Sequence, residues 1–385
     1  MLLAGEASGD LHASELIGAL RVADPDADFC FFGGDLMAAS AGCEPVVHYR
    51  KMAYMGFAEV VRHLPDVSRN LHTAVELLRS RKPDALILVD YPSFNLRVGK
   101  VAHEMGIPVY YYISPKVWAW KAHRVKTIRR ICRRVLSILP FEREFYAERG
   151  YRVDYVGNPS VEEMSRRVAN LPDFSTFCAD HKLPQRPVIG LFPGSRISEI
   201  RSNLPVMLEA ARVLQSRFQI VVSRAPGVDE SVYASLTSAP LLADCATALM
   251  RHSTVALVTS GTATLECALA GTPQVVCFRH NGSRLFYSLM KRWLTIPYVS
   301  LPNLIANQAV VPELLVHLCT PMRVLQEMVA LLPGQPRRAL QLEGYAEIRR
   351  RLGTDSAARR AASLIVGDLT SGCSDSQCQA ARRQM

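Results

Sequence analysis

The feature that most constrains this chain is a set of short, unbroken apolar runs. They read ALILV at 85–89, VIGLF at 188–192, VALV at 255–258 and, within an expected strand at 274–278, VVCF at 275–278. A strand with one face in water alternates apolar and polar residues. A run that is apolar at every position has to be buried on both faces. Between these runs lie longer stretches with helical spacing, at 11–21, 57–79, 94–105, 199–216 and 263–270. Further strands are expected at 2–4, 28–32, 109–113, 135–139 and 220–223. Strands alternating with helices make a parallel sheet covered on both sides, so the fold class is α/β.

The alternation occurs twice. At 385 residues the chain exceeds one compact core and suits two Rossmann-like domains. The boundary is expected at 160–186, where Pro159, Pro172, Pro184 and Pro187 punctuate polar sequence. A basic helical segment follows at 341–369 and a polar tail at 370–385. The first strand has few residues before Gly5. Either it is short or its beginning lies upstream.

In an open parallel sheet, ligands bind beyond the carboxyl ends of the strands. Four strand-to-helix turns therefore matter. The first is GEASGD, with Gly5, Glu6, Ser8, Gly9 and Asp10. Its glycines admit close approach of a ligand, or simply make a tight capped turn. It lacks the GxGxxG of a dinucleotide site. The second is DYPSFN, where Asp90 ends an apolar strand. A carboxylate there can take a proton from a hydroxyl, or cap the next helix. His12 and His123 are further acid–base candidates that also suit structural roles.

The third turn is Gly194-Ser195-Arg196, where an arginine can pair with phosphate in bidentate fashion. The fourth is Ser260-Gly261-Thr262-Ala263, with Glu266 one turn into the helix. Small residues at a helix N-terminus leave N–H groups for an anion, and Glu266 can accept both hydroxyls of a ribose. No lysine completes a P-loop. Asp26-Ala27-Asp28 has a DxD spacing but precedes its strand, at the wrong edge for a metal site. No metal or other cofactor is expected.

The net charge of +10 allows phosphorylated substrates, an anionic membrane surface or nucleic acid. Aromatics and arginines do not interleave along a strand, so nucleic acid is excluded as a partner. Ten cysteines without a CxxC pair suit reduced thiols in the cytoplasm. No apolar run reaches the ~18 residues of a membrane span. Phe57, Val60, Val61 and Leu64 share one face of a helical stretch, either a core face or a peripheral membrane contact.

These motifs, together with YMGFAEV (54–60), YYISPKVWAWK (111–121), LPFE (139–142), VGNP (156–159), LFPGSR (191–196), SGTATLECALAGTP (260–273) and VSLPNLIA (299–306), resemble lipid-A-disaccharide synthases in their order. The resemblance runs from residue 1 to the 350s. It implies a GT-B fold, with two Rossmann-like domains facing a cleft and C-terminal helices returning to the first. Residues 1–165 would be the acceptor- and membrane-facing domain, and 186–340 the UDP-sugar domain. It further implies UDP-2,3-diacylglucosamine as donor, 2,3-diacylglucosamine 1-phosphate (lipid X) as acceptor, and peripheral association with the inner membrane. A homodimer would also suit it. By the same resemblance Asp90 is the base, Asp10 the second candidate, and Asn303 a contact to donor or diphosphate. Ala13, the segment 278–283 and the sequence after Asp368 depart from the family pattern. A UDP-N-acetylglucosamine 2-epimerase, built on the same architecture, is the competing reading.

Overall fold

Apolar strands alternate their side chains between the two faces of a sheet, and here both faces are filled. The computed structural model describes residues 1–52, 64–119, 122–279 and 297–382. They divide into two units, Met1–Pro159 with Thr354–Met385, and Ser160–Gly353.

The first unit holds seven parallel strands: β1 (Leu2–Ala4), β2 (Phe31–Gly33), β3 (Val47–His48), β4 (Leu86–Val89), β5 (Val109–Tyr112), β6 (Arg134–Ser137) and β7 (Asp154–Tyr155). Their order is β3-β2-β1-β4-β5-β6-β7. Leu3, Leu86, Leu88 and Tyr111 pack on one side, with Ala74, Leu78, Val98 and Ala102 from helices Leu64–Arg81 and Pro92–Glu104. Leu2, Ala4, Ile87, Val89, Tyr110 and Tyr112 pack on the other, with Leu16 and Ile17 of helix Ala7–Ala23. This double burial explains why no polar residue interrupts ALILV.

The second unit holds β8 (Val188–Phe192), β9 (Gln219–Ser223), β10 (Leu241–Leu242), β11 (Ser253–Thr259), β12 (Gln274–Phe278) and β13 (Glu313–Leu315). Their order is β10-β9-β8-β11-β12-β13. Ile189, Leu191, Leu257 and Val275 meet Ile200, Leu204 and Met207 of helix Ile197–Arg212.

Both orders reverse direction once, between β1 and β4 and between β8 and β11. Such a switch point opens a crevice at the carboxyl ends of the two strands. The turns carrying Glu6 and Asp90 leave β1 and β4. The turns carrying Arg196 and Ser260 leave β8 and β11.

Several boundaries differ from the sequence reading. The first helix begins at Ala7 rather than 11, because Gly9 lies inside it. A Cβ there would stand 3.3 Å from that of Ala4, so the glycine sets how closely helix and strand pack. The C-terminal helical stretch is two helices broken at Gly353, whose φ is +71°. Pro336–Leu352 belongs to the second unit. Ala357–Arg382 belongs to the first, and covers its sheet with Ala357, Ala361, Ala362 and Ile365.

That last helix is fixed by charge as well. Arg134 donates to both oxygens of Asp368, at 2.6 and 2.7 Å, and to Asp154 at 3.1 Å. Arg133 adds a bond to Asp368 at 3.2 Å. The hydrogen-bonded Arg134 guanidinium holds the Asp368 carboxyl below the usual carboxylate range. Asp368→Asn should lower stability near neutral pH by about 1 kcal/mol, the scale of a partly exposed ion pair. Because the folded pKa is depressed, this contribution is complete above the unfolded value of about 3.9 and is lost as pH falls through the folded one. Denaturant melts of parent and variant should therefore converge in acid.

Candidate active site

The turn after β4 is built from conformations that side chains rarely adopt. Asp90 and Tyr91 have φ of +43° and +45° in succession. Neither is glycine, so the surrounding structure has to hold them there. The Asp90 carbonyl accepts from the Tyr111 hydroxyl at 2.7 Å and from the Asn95 amide at 2.8 Å. The same amide reaches the carbonyls of Val89 at 3.1 Å and Leu3 at 3.3 Å. Tyr91 donates to the Met52 carbonyl at 2.7 Å, and its ring lies over Gly5, where a Cβ would come within 2.4 Å. Gly5 thus makes room for Tyr91.

The Asp90 side chain is half-buried. Burial pushes its carboxyl above the ordinary range, the Lys116 ammonium opposes this, and the Glu6 carboxylate adds to it. The arrangement brings Glu6, Asp90 and Lys116 into one electrostatic neighbourhood at the switch point. Ser8 is exposed in the first turn of the neighbouring helix.

Asp10 is placed differently. It is 3% exposed, and its two oxygens accept the main-chain N–H of Gly34 at 2.7 Å and of Leu36 and Met37 at 3.2 Å. It caps helix Asp35–Ala41 from a distant part of the chain, satisfying N–H groups that no local side chain reaches.

In the second unit, Gly194 has φ +116°, and a Cβ there would stand 2.6 Å from a Glu199 oxygen. Glu199 folds back over the turn. Its Oε2 accepts from Ser195 N at 3.0 Å and Arg196 N at 3.3 Å, and its Oε1 from the Arg196 guanidinium at 3.0 Å. The expected backbone cradle at 194–196 therefore already holds a carboxylate. What the turn offers a ligand is the Ser195 hydroxyl and the rest of the exposed guanidinium. The Arg-x-x-Glu spacing, an N-cap and its third residue, was the available signal.

The turn after β11 is more open. Gly261 provides no side-chain cap to helix Thr262–Ala270, so the N–H groups of Thr262 and Ala263 head an uncapped helix. Thr264 bonds back to the Gly261 carbonyl at 2.7 Å. Glu266 is half-buried. Burial and then the nearby Glu163 raise its carboxyl, while Arg167 lowers it.

Ser260 also touches the Val299 carbonyl at 3.4 Å, which joins this turn to the start of helix Leu301–Ala306. Asn303 is buried and uses all four hydrogen-bonding positions of its amide. It donates to Val311 O and Glu313 Oε1, both at 2.9 Å, and accepts from Val310 N and Val311 N, both at 2.8 Å. No position is left open for a ligand, so a role for Asn303 would run through the helix start that it locks. Glu313, which the sequence reading did not single out, shares that lock. It accepts from Val299 N at 3.1 Å, Ser300 N at 2.8 Å and the Ser300 hydroxyl at 2.6 Å.

Phe57, Val60 and Val61 lie outside the described residues, as does the side chain of Leu64. Among the described residues no helix is long and apolar enough to cross a membrane, and no group of three His, Cys, Asp or Glu could hold a metal ion.

The fold is shared with solved structures of low sequence identity. A UDP-GlcNAc 2-epimerase from Neisseria meningitidis, bound to UDP-GlcNAc, matches with a TM-score of 0.65 at 12% identity, over 96% of this chain and 99% of that one. The glycosyltransferase of kitacinnamycin matches with a TM-score of 0.60 at 16% identity, over 96% and 98%. Sequence comparison is more specific. The lipid-A-disaccharide synthetase family profile matches residues 1–365. A lipid-A-disaccharide synthase from Myxococcus xanthus is 41% identical over 97% of this chain and 98% of its own length. One from Acidobacterium capsulatum is 39% identical over 92% and 91%. With two parallel α/β sheets of GT-B type and relatives that match nearly end to end, this chain belongs to the lipid-A-disaccharide synthase family, glycosyltransferases of lipid A biosynthesis.

Proposed function

We propose that this chain is an inverting glycosyltransferase that moves 2,3-diacylglucosamine from UDP-2,3-diacylglucosamine to the 6-hydroxyl of 2,3-diacylglucosamine 1-phosphate. The products are the β-1,6-linked disaccharide 1-phosphate and UDP. The observation that carries the mechanism is the turn at Asp90. A half-buried carboxyl, raised by burial, is held in a left-handed backbone at the switch point of its sheet. A base with a raised pKa takes a proton more readily than an ordinary carboxylate.

In this reading Asp90 accepts the proton of the acceptor hydroxyl as its oxygen attacks the anomeric carbon. The bond from that carbon to the diphosphate oxygen breaks on the opposite face, and UDP leaves with the bonding pair. Arg196 and the N–H groups of Thr262 and Ala263 meet the charge that grows on the diphosphate. Glu266 accepts the ribose hydroxyls. Asp10 suits the base role less well, because three N–H groups already hold its carboxylate.

Both substrates carry acyl chains, so the enzyme works at a membrane surface. The sequence places Phe57 and Val61 on the face that would touch it. Polar replacement of both should cut co-flotation with anionic liposomes severalfold, and unchanged flotation would remove that role.

Asp90→Asn should lower turnover by at least ~100-fold, the scale of general base catalysis, with UDP affinity unchanged. Asp10→Ala should instead cost about 1–2 kcal/mol of stability through the lost cap. The parent's kcat/KM should fall on the acid side as Asp90 takes up a proton, at a pH above the ordinary carboxylate value of about 3.9. Arg196→Ala should weaken UDP about 10- to 100-fold by calorimetry, as loss of a charge-assisted bond does. Glu266→Ala should remove the preference for UDP over 2′-deoxy-UDP. Mass-neutral conversion of the donor in the absence of lipid X, with no UDP released, would point instead to an isomerase on this fold.

A further inference from the structure

The loop that leaves β5 carries Lys116, and one short helix fastens it on both sides of that residue. Helix Glu142–Ala147 contributes two buried side chains. Tyr146 meets Ser114 through their hydroxyls at 2.7 Å. Glu142, 1% exposed, accepts from the Trp118 indole N–H at 3.0 Å with one oxygen and from the Ser137 hydroxyl at 2.5 Å with the other. The Trp118 ring also meets Phe141 edge-on at 5.1 Å.

The loop starts beside Asp90. Val89 pairs with Tyr112 in the parallel ladder, and Asp90 N donates to the Tyr112 carbonyl at 3.3 Å. Ile113 then turns with φ +61°, a costly conformation for a β-branched residue. Lys116 is exposed between the two fastenings.

We infer that Glu142 is a positioning residue: through Trp118, and together with the Tyr146–Ser114 bond, it fixes the 113–118 loop and so sets where Lys116 stands beside Asp90. This rests on the reading of Asp90 as the base. The groups acting on Asp90 are Lys116 from this loop, Glu6 from the turn after β1, and the N–H of Tyr91. Lys116 also acts on Glu142, whose carboxyl burial raises to about 7. A carboxyl with that pKa is partly neutral at physiological pH. Glutamine reproduces its bonds, accepting from the indole and donating to Ser137, which can still donate to Leu139 O. What the role requires is the geometry of the side chain rather than its charge.

The test is the acid limb of kcat/KM against pH in Lys116→Met, Glu142→Ala, Glu142→Gln, Trp118→Phe and Asp90→Asn. Lys116 lowers the Asp90 pKa, so its loss should move the limb to higher pH by about half a unit, the small end of what a nearby opposite charge does. Glu142→Ala should move the limb the same way. The double variant should go no further than Lys116→Met alone, and Glu142→Gln should restore the parent's position. Trp118→Phe removes only the indole N–H and should match Glu142→Ala, so it carries the test if the alanine variant melts early. A limb unmoved in Glu142→Ala and Trp118→Phe overturns the inference, as does one that vanishes in Glu142→Ala. Turnover in Asp90→Asn with the parent's limb would instead remove the base reading.

Discussion

The side-chain amide of Asn95 is closed to solvent and donates toward three main-chain carbonyls, of Leu3, Val89 and Asp90. Two of these belong to β4 and its turn and one to β1, so a single N–H₂ group ties the two strands together where the sheet changes direction. Only an amide suits the position. A carboxylate there would face three acceptors, and an aliphatic side chain would take a buried donor away from all three. The left-handed turn at Asp90 and Tyr91 is held in part by this tie, Tyr91 covers Gly5, and Asp90 feels the charges of Lys116 and Glu6. The Tyr111 hydroxyl on the Asp90 carbonyl and the Tyr91 hydroxyl on the Met52 carbonyl hold the same turn from outside the tie.

The second sheet meets the same topological problem with different chemistry. There carboxylates hold the turns, Glu199 over Gly194–Arg196 and Glu313, with the Asn303 amide, over residues 299–303. Both carboxylates collect N–H groups that would otherwise lack acceptors. One unit thus presents a carboxyl that can exchange a proton, and the other presents an arginine and an uncapped helix start. The proposed transfer draws on this division, with a base for one substrate and a counter-charge for the leaving group of the other.

The inner strands and the four turns were legible in the sequence because double burial leaves an apolar run, and a glycine or proline break marks its end; the four edge strands, Val47–His48, Asp154–Tyr155, Leu241–Leu242 and Glu313–Leu315, are two or three residues long and left no such run to read. The first helix was misplaced because glycine inside a helix reads as a turn until its neighbour, Ala4, is known. The roles of Asp10, Glu199, Glu313 and Asn303 were not legible, or only partly so. Asp10 binds N–H groups 24 to 27 residues away, and nothing in GEASGD points there. Asn303 stands in a motif that suggested a ligand contact, and its four bonds all stay within the protein. The positive φ of Asp90, Tyr91 and Ile113 had no signal at all, since sequence reading looks for glycine in such places.

The last helix completes the first unit, although all of the second unit is translated before it. A ribosome therefore releases the strands of the first sheet long before Ala357, Ala361 and Ile365 exist to cover the face formed by Leu2, Ala4 and Phe31. For that interval the nascent sheet carries an open apolar side, the kind of surface that invites off-pathway association. The intervening unit has its own core and can fold meanwhile. Synthesis of this enzyme is thus a race between closing one long sequence separation and keeping a half-finished domain apart from its neighbours.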